Sequence, residues 1–384
     1  MYKLFKIRID FLNKIREKEK TYEIRLNHEN RKNLKEGMII RLENDANQDD
    51  FELAKITSIE KFTNFEELFE VIPFQKAGFS SKSEAISTMY TFYDKADVSK
   101  NGVVAFGVEL FELHYEDIDA FVFDMDGTLL KGHSEMNPSN SKVMQTLIDD
   151  GKKVGVATGR AFFTFDKYLE EIPINLPLIT SNGGHIHDYK KDQAVHFEGM
   201  NLDAAKEIFA TLVKSEVDFL VYTTSGVHGV DRQKTDFFKT RDYNQTLGKN
   251  YSTGLEFDFE KYPIITKFLV IHNNDEEYML EEVQKVMSKY DDVYGLFSLR
   301  NFYDIMSINT SKGNALKFLS EHYDFDLSRT MTFGDADNDA SNFMMSAYSG
   351  FMKNGFPEVR NYANLMMGSN DENWLETFVN WLKR

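Results

Sequence analysis

One stretch decides how this 384-residue chain folds: FVFDMDGTLL, at residues 121–130. The apolar run at 120–123 is typical of a strand that is buried on both faces of a parallel sheet. Two carboxylates, Asp124 and Asp126, follow at the end of this strand, and Gly127 permits a sharp turn after them. Ligands bind at the carboxyl ends of the strands in open parallel sheets, so this stretch predicts a ligand site as well as a strand.

The surrounding sequence alternates between strand and helix patterns, which predicts an α/β fold with a doubly wound parallel sheet. The predicted strands lie at 120–123, 153–157, 176–180, 303–308 and 330–333, and the predicted helices lie at 139–150, from Ala161 onward, and at 312–322. Residues 184–300 break this alternation and predict an inserted α/β unit. Its predicted strands lie at 219–223 and 267–272, and its predicted helices lie at 202–215 and 275–290.

Three more polar segments fall near the ends of later strands. They are TGR at 158–160, SKG at 311–313 and GDADND at 334–339. The carboxyl ends of parallel strands meet at one edge of a sheet, so we expect these segments to lie beside Asp124 and Asp126.

The order DxDGT, a hydroxyl residue, a lysine and GDxxND resembles the haloacid dehalogenase superfamily of phosphatases. The insertion at 184–300 and the SNGG segment at 181–184 resemble its Cof-type subfamily, which carries a large α/β cap at that point. The resemblance covers residues 117–384. It implies a hydrolase core at 117–183 and 301–384, with the cap at 184–300.

The resemblance also implies a reaction. Asp124 would attack phosphorus and form an aspartyl-phosphate, and Asp126 would protonate the leaving alkoxide and then activate water. Lys312 would neutralise the phosphate and hold Asp124, and Thr158 would hydrogen-bond a phosphoryl oxygen. The implied substrate is a small phosphorylated metabolite, such as a sugar phosphate, a nucleotide or a phosphorylated cofactor. Phosphoryl transfer to a sugar rather than to water would use the same residues.

The implied cofactor is Mg²⁺, a hard cation that prefers oxygen ligands. Asp124, Asp335 and the backbone carbonyl of Asp126 would bind it, and Asp339 would support it through hydrogen bonds. The residues expected to contact the substrate are Thr158, Gly159, Arg160, Asn182, Gly183, Lys312 and Asn338.

The first third of the chain differs in charge and pattern. Residues 1–41 carry twelve Lys and Arg against six Asp and Glu, whereas residues 117–384 carry a net charge of −14. Alternating apolar residues predict a strand at 4–11. Short strands around one or two helices follow, so we expect a small barrel-like α+β domain over residues 1–116.

The segments KTYEIRLN at 20–27 and GFSS at 78–81 resemble the ASCH domain, a PUA-like fold associated with RNA binding. One branch of that family hydrolyses acetylated cytidine with a lysine, a threonine and a glutamate. Lys20 matches the lysine, but Glu23 replaces the threonine, so this activity is not expected. Lys20, Glu23 and Arg25 predict either a small polar pocket for a nucleotide or modified base, or an ion-pair network without a function. The basic start of the chain would favour contacts with RNA phosphates.

The composition narrows the classes of protein. The absence of cysteine excludes disulfide scaffolds, thiol catalysis and cysteine-ligated metal sites. No apolar run of about 18 residues occurs, so we expect a cytoplasmic protein with no membrane partner. The net charge of −17 argues against a chain that mainly binds nucleic acid.

Two functions stay open at this point. The first is an Mg²⁺-dependent phosphomonoester hydrolase. The second is an RNA- or nucleotide-binding protein whose N-terminal domain brings the phosphatase to a nucleic-acid or modified-nucleotide substrate. His185 and His187 share one face of a strand-like segment, which predicts a structural or substrate-facing pair or, with a third ligand, a metal site.

Overall fold

The computed structural model describes residues 2–132, 135–240, 247–271, 277–299 and 301–384. Four residues at the ends of predicted segments lie outside the described residues. They are Met1 and Arg300, at domain boundaries, His272, at the end of a predicted strand, and Asp275, at the start of a predicted helix. No helix within these ranges is long and apolar enough to cross a bilayer.

The N-terminal domain is a curled five-stranded sheet with helices on both faces. Its elements are β1 (Leu4–Ile7), α1 (Ile9–Arg16), β2 (Tyr22–Leu26), β3 (Ile39–Asn44), β4 (Asn47–Phe62), α2 (Phe65–Val71), α3 (Lys82–Phe92), α4 (Lys95–Asn101) and β5 (Val103–Leu110). The strand order is β1-β3-β4-β5-β2, and only β1 and β3 are parallel. Helix α1 packs into one apolar cluster, and α2 and α3 pack into a second. The predicted α+β class of this domain is confirmed.

The predicted strand at 4–11 is correct only for its first half. A strand covers Leu4–Ile7, and a helix begins at Ile9 after the extended Arg8. The apolar pattern continues with Leu12 and Ile15, which are three residues apart and buried on one face of the helix. Residues 9–11 therefore fit both the alternating pattern of a strand and the three-residue spacing of a helix, so the alternation alone did not mark where the strand ends.

The core begins at the central strand of a second sheet. Its first elements are β6 (Ala120–Phe123), β7 (Leu130–Lys131), β8 (Glu135–Met136), α5 (Pro138–Asp149), β9 (Lys153–Val156) and β10 (Leu178–Thr180). Strands β6 and β9 are parallel neighbours, and β7 and β8 form a short antiparallel ribbon. Helix α5 begins with a proline behind Asn137, whose side chain accepts a hydrogen bond from the backbone N–H of Ser139.

The predicted helix from Ala161 is wrong. Two short 3₁₀ turns, Phe162–Thr164 and Asp166–Tyr168, take its place. Phe163 packs against an apolar cluster of the cap, whereas Phe165 is buried in the cluster of the core. Because these neighbouring aromatic side chains are buried against different units, the segment does not form a helix with a single apolar face.

The inserted cap is a six-stranded sheet with two helices on one face. The elements from the insertion are β11 (His185–Asp188), β12 (Gln193–Phe197), α6 (Leu202–Lys214), β13 (Asp218–Thr223), β14 (Val227–Val230), α7 (Phe237–Thr240), β15 (Tyr251–Thr253), β16 (Ile265–Ile271), α8 (Glu277–Met287), β17 (Val293–Leu299) and β18 (Phe302–Ser307). The cap sheet has the order β15-β14-β13-β16-β18-β17. Helices α6 and α8 bury one apolar cluster against it, and the opposite face of the sheet is directed at the core.

Strand pairing differs from the predicted domain boundaries in two places. Strand β18, which the boundary at residue 301 assigns to the core, is antiparallel to β16 and β17 of the cap sheet. Strands β11 and β12, which the boundary at residue 184 assigns to the cap, pair with β10 on the core side. Each of these strands lies next to a predicted boundary, and the strand with which it forms hydrogen bonds decides to which sheet it belongs.

The remaining elements complete the parallel sheet of the core. They are α9 (Lys312–His322), β19 (Thr330–Gly334), α10 (Ala340–Met345), β20 (Tyr348–Phe351), β21 (Leu365–Met366) and α11 (Trp374–Leu382). The order is β21-β20-β19-β6-β9, all parallel, and a bridge between Ala157 and Ile179 adds β10. Helices α5 and α11 share one apolar cluster and α9 lies in another. The predicted α/β class with a parallel, doubly wound sheet is confirmed.

Buried polar contacts join the N-terminal domain to the core. The ammonium of Lys3 donates to the carbonyls of Phe343 (2.6 Å) and Ser346 (2.7 Å) at the end of α10. Ile39 and Leu53 of the N-terminal sheet belong to the apolar cluster of the core. The two units are therefore packed against each other, because both apolar and polar groups of the first are buried by the second.

Candidate active site

Three carboxylates converge at the carboxyl edge of the core sheet. Asp124 follows β6, Asp335 follows β19, and Asp339 directly precedes α10. One oxygen from each lies within 4.8 Å of the others, and all three residues are buried. The predicted neighbours are thus brought together by adjacent parallel strands.

Lys312 supplies the only ammonium in direct contact with this cluster among the described residues. It stands at the first position of α9, where Ser311 caps the helix by accepting from the backbone N–H of Asn314. Its Nζ donates to Asp124 Oδ1 (2.5 Å) and Asp339 Oδ1 (2.7 Å). Burial alone lowers the pKa of Lys312, but the two carboxylates outweigh it and hold the pKa above its usual range.

The carboxylates carry more negative charge than one lysine balances. Burial raises the pKa of Asp124 to about 7, opposed by Lys312 and assisted by Asp339 and Asp126. Burial, with Asp124 and Asp339, also raises the pKa of Asp335 well above its usual range. Asp335 Oδ1 is buried and has no hydrogen-bond partner. Unshared buried oxygens and surplus negative charge fit a hard divalent cation such as Mg²⁺.

Two glycines permit this close approach. Gly127 has a left-handed φ of +83°, and a Cβ on it would stand 2.3 Å from Asp335 Oδ2. A Cβ on Gly334 would stand 2.2 Å from the Asp339 carboxyl carbon. Asp339 Oδ2 in turn accepts the backbone N–H groups of Asp335 (2.9 Å) and Ala336 (3.1 Å), which fixes the loop after β19.

Asp126 lies beside the carboxylate cluster, but its side chain pairs with Arg160. Both of its carboxylate oxygens accept from Arg160, Oδ2 from Nε at 2.7 Å and Oδ1 from Nη2 at 2.6 Å. Arg160 also donates to the hydroxyl of Tyr168 (3.1 Å), and its backbone N–H donates to Thr158 Oγ1 (3.2 Å). The sequence predicts Asp126 and Arg160 as site residues without predicting that they form an ion pair.

The SNGG turn connects the other predicted contact residues. Asn182, in a left-handed conformation (φ +57°), donates its backbone N–H to the carbonyl of Thr158 (3.0 Å). Its side-chain oxygen accepts from Asn338 Nδ2 (3.0 Å) and would meet a Cβ on Gly159 at 2.9 Å. Gly183 packs against the start of α9, where a Cβ would stand 2.3 Å from the carbonyl oxygen of Ser311.

Residues of the cap that were not predicted from the sequence also line the site. The cavity over Asp124 and Asp126 is also lined from the cap by Tyr222, Lys267, Leu269, Ser298 and Phe302. The sequence itself contains a signal for one of them. Lys267 is the one charged residue in ITKFLVI, a strand otherwise composed of threonine and apolar residues. A lone lysine in a buried strand needs a partner or a ligand.

The residues predicted for an N-terminal pocket lie together. Glu23 pairs with Lys20 Nζ (3.2 Å) and Arg25 Nη2 (2.9 Å), and burial lowers the pKa of Lys20 against the opposing effect of Glu23. These residues form the polar wall of a cavity of about 240 Å³. The larger part of the remaining wall is apolar and aromatic: Ile7, Phe11, Ile24, Phe79, Met89, Phe92 and Tyr93.

His185 and His187 are buried in an aromatic cluster. Phe162 stacks on His187 (4.5 Å between ring centroids) and meets His185 edge-on (4.5 Å), and burial lowers the pKa of His185 to about 3. Among the described residues, the one group of three His, Asp or Glu side chains close enough to share an ion is the carboxylate cluster, not this pair. These contacts give the histidines a packing role.

Two family models match the chain. Residues 121–378 match haloacid dehalogenase-like hydrolases, and residues 5–112 match the ASCH domain. A protein from Mycoplasma genitalium, named as an inferred phosphatase, is 28% identical over 251 residues, covering 62% of this chain and 88% of that protein. A 5-amino-6-(5-phospho-D-ribitylamino)uracil phosphatase from Bacillus subtilis is 25% identical over 277 residues, covering 67% of this chain and 96% of its own length.

Solved structures share the fold of the core and cap. A haloacid dehalogenase-like hydrolase from B. subtilis superimposes with a TM-score of 0.60 at 23% identity, over 69% of this chain and all of that one. A sugar phosphatase of subclass IIB gives a TM-score of 0.58 at 19% identity, over 68% of this chain and 98% of that one. This chain therefore belongs to the haloacid dehalogenase-like hydrolase family and carries an ASCH domain ahead of the hydrolase unit.

Proposed function

We propose that the protein is an Mg²⁺-dependent phosphomonoester hydrolase that acts on a small phosphorylated metabolite through an aspartyl-phosphate. One observation carries the proposal: the Asp124 carboxylate is held by Lys312 beside two further buried carboxylates, in a cavity between the core and the cap. A fixed carboxylate with a neighbouring cation is suited to attack an anionic phosphate ester, which otherwise repels nucleophiles.

In the proposed first step, the free oxygen of Asp124 attacks phosphorus and the bond to the leaving oxygen breaks. Asp126 gives its proton to that oxygen. In the second step Asp126 takes a proton from water, the water oxygen attacks phosphorus, and the bond to Asp124 breaks. Inorganic phosphate leaves and both carboxyl groups return to their starting states. Transfer of the phosphoryl group to a sugar hydroxyl would follow the same second step.

Other residues of the site neutralise and orient the phosphoryl group. Lys312 offsets its charge and keeps Asp124 in place, and Thr158 supplies a hydroxyl donor. We assign Mg²⁺ to Asp124, Asp335 and the backbone carbonyl of Asp126, where it would neutralise charge in the transition state, with Asp339 in support. Gly159, Arg160, Asn182, Gly183 and Asn338 would shape the space around the substrate.

The position of the site between core and cap and the named relatives both support this substrate class. Proteins similar to this one are named for phosphatase activity on a phosphoribitylamino-uracil and on HMP-PP, and a neighbour in structure is titled a sugar phosphatase. A cavity lined on one side by the core and on the other by the cap admits a small ester more readily than a polymer. We propose the cytoplasm as the location, since such metabolites occur there.

A phosphate-release screen over sugar phosphates, nucleotides and phosphorylated vitamins tests the proposal. The full chain with Mg²⁺ should release phosphate, and Asp124→Asn should lose at least about 1,000-fold of that activity. Circular dichroism checks that the variant folds. Full activity of Asp124→Asn would remove the mechanism, and analysis of the phosphorylated products separates hydrolysis from transfer to a sugar.

A second candidate function concerns the N-terminal cavity. Aromatic walls beside buried Lys20 and half-buried Arg25 suit a nucleobase that stacks and accepts hydrogen bonds. We propose that this cavity binds a nucleotide of RNA, whose phosphates would meet Lys6 and Arg8 at the rim. The test uses the full chain, because the isolated domain would expose surface that the core buries. RNA binding should weaken steeply with salt and with Arg8→Glu, and absence of binding at low salt would contradict it.

A further inference from the structure

A buried lysine of the cap lies in the wall of the proposed active site. Lys267 is on β16, it is 2% exposed, and it lines the same cavity as Asp124 and Asp126. The proposed reaction gives it no role, because Lys312 already contacts the nucleophile. A buried ammonium in a cavity wall calls for a reason, since an apolar residue of similar size is easier to bury.

Lys267 is held by a chain of contacts that reaches the core. Its Nζ lies 2.9 Å from Asp304 Oδ1 on β18, and Asp304 Oδ2 accepts from Asn182 Nδ2 at 2.7 Å. The side-chain oxygen of Asn182 accepts from Asn338 at 3.0 Å, in the loop that carries Asp335. The lysine is thus fixed in direction, and its position depends on the cap lying closed against the SNGG turn.

The Lys267 ammonium has N–H groups available to a ligand. An ammonium carries three N–H bonds. Among the described residues, Lys267 Nζ contacts one carboxylate oxygen, which leaves two N–H bonds for a ligand in the cavity. Beside it, the ring of Tyr222 lies 4.8 Å from Nζ, and Leu269 and Phe302 add apolar surface. Burial lowers the pKa of Lys267, and Asp304 opposes this. An ammonium paired with a carboxylate carries no net charge, so the pair is neutral as a unit.

We propose that Lys267 is a specificity-determining residue of the proposed phosphatase reaction, donating hydrogen bonds to the hydroxyl oxygens of an uncharged polyol leaving group, such as a sugar or an alditol. Because Asp304 offsets its charge, the site does not favour a second phosphate on the substrate. The neighbouring ring and apolar side chains would pack on the C–H face of the polyol. The inference rests on the proposed function, and it adds the class of the leaving group.

The test compares two kinds of ester in the full-length enzyme. The leaving group of p-nitrophenyl phosphate is an aromatic ring that carries no hydroxyl substituent, whereas hexose, pentose and alditol phosphates present hydroxyl groups to Lys267. In Lys267→Met, kcat/KM for the best polyol phosphate should fall about 10- to 100-fold, mainly through KM, since a charged hydrogen bond to substrate is lost. For p-nitrophenyl phosphate the change should stay within about threefold. Lys289→Met, an exposed lysine on the cap, should alter neither reaction.

A second variant covers the case in which Lys267→Met does not fold. Lys267→Gln keeps a hydrogen-bond donor without the charge. It should lower kcat/KM for the polyol phosphate less than methionine does, and it should lower it more than kcat/KM for p-nitrophenyl phosphate. Equal losses for both esters in the glutamine variant would overturn the proposal, because they indicate a purely structural ion pair. A wild-type preference for bisphosphates or nucleotides would also overturn it. If wild type releases no phosphate from any ester, the proposed function itself fails.

Discussion

Arg160 holds both carboxylate oxygens of Asp126, at 2.7 and 2.6 Å, in a two-pronged ion pair beside the carboxylate cluster. Such a pair favours the ionised form of a carboxylate, whereas a general acid must carry a proton when the leaving group departs. The proposed reaction therefore requires the pair to loosen once a phosphate enters, because the phosphoryl oxygens compete with Asp126 for the guanidinium.

The first prediction follows from this competition. Arg160→Ala should lower kcat/KM for phosphate release about 10- to 100-fold, because Asp126 loses its orientation and the phosphoryl group loses a cation. Arg160→Lys keeps the charge but not the planar fork, and its activity should lie between alanine and wild type. Steady-state kinetics of the two variants measure this. An alanine variant as active as wild type would show that the pair has no role in the reaction.

A second prediction concerns metal affinity and pH. Burial raises the pKa of Asp124 to about 7 in the metal-free protein, and a cation binds only the ionised form. Lowering the pH from 7 to 6 reduces the ionised fraction of Asp124 from about one half to about one tenth, so it should weaken Mg²⁺ binding about fivefold, and raising the pH above 8 should change little. Titration calorimetry across this range gives the affinities. Asp335→Asn is the control and should bind Mg²⁺ weakly at every pH, and a flat profile in wild type would contradict the prediction.

A third prediction uses two glycines with the same backbone requirement. Gly127 (φ +83°) and Gly132 (φ +52°) are both left-handed, but a Cβ meets Asp335 only at Gly127 and meets nothing within 4 Å at Gly132. Each alanine substitution should cost about 1 kcal/mol in unfolding free energy from the backbone alone. Gly127→Ala should in addition displace Asp335 and lose most activity. Denaturant unfolding measures the stability cost of each substitution, and phosphate release measures the loss of activity. A Gly127→Ala variant as active as wild type would contradict the predicted displacement of Asp335.

A fourth prediction concerns the contact between the two units. Burial lowers the pKa of Lys3 to about 7, whereas a lysine in the unfolded chain titrates near about 10.4. Between these values the unfolded state binds more protons, so raising the pH stabilises the folded state. From pH 7 to 9, wild type should gain stability relative to Lys3→Met, on the order of 1 kcal/mol per pH unit.

Urea unfolding at pH 7, 8 and 9 checks this prediction. Lys142→Met removes an exposed lysine and serves as the matched control, for which the difference from wild type should not vary with pH. A Lys3→Met difference that is equally constant would show that Lys3 remains protonated in the folded protein.

Local patterns predicted much of this molecule. Alternating apolar runs and helical segments predicted the parallel core sheet, and Asp124 and Asp335 were placed at one edge because neighbouring parallel strands end there. The patterns failed at residues 8–11 and after Ala161, where a few residues fit two states and burial against different partners decided between them. The predicted boundary at residue 301 differs for another reason: β18 is a strand as predicted, but it pairs with strands of the cap.

The sequence by itself determined the fold class and which residues meet at the sheet edge, because the apolar periodicity of each segment and the side-chain types at its end are local properties. Three contacts are visible only in the tertiary structure. Arg160 pairs with Asp126, Lys267 of the cap lines the cavity, and Lys3 donates to carbonyls at the end of a core helix 340 residues away. These contacts depend on how the surfaces of separate sheets pack. Packing is set by the shape and burial of many side chains together, which no single stretch of sequence contains.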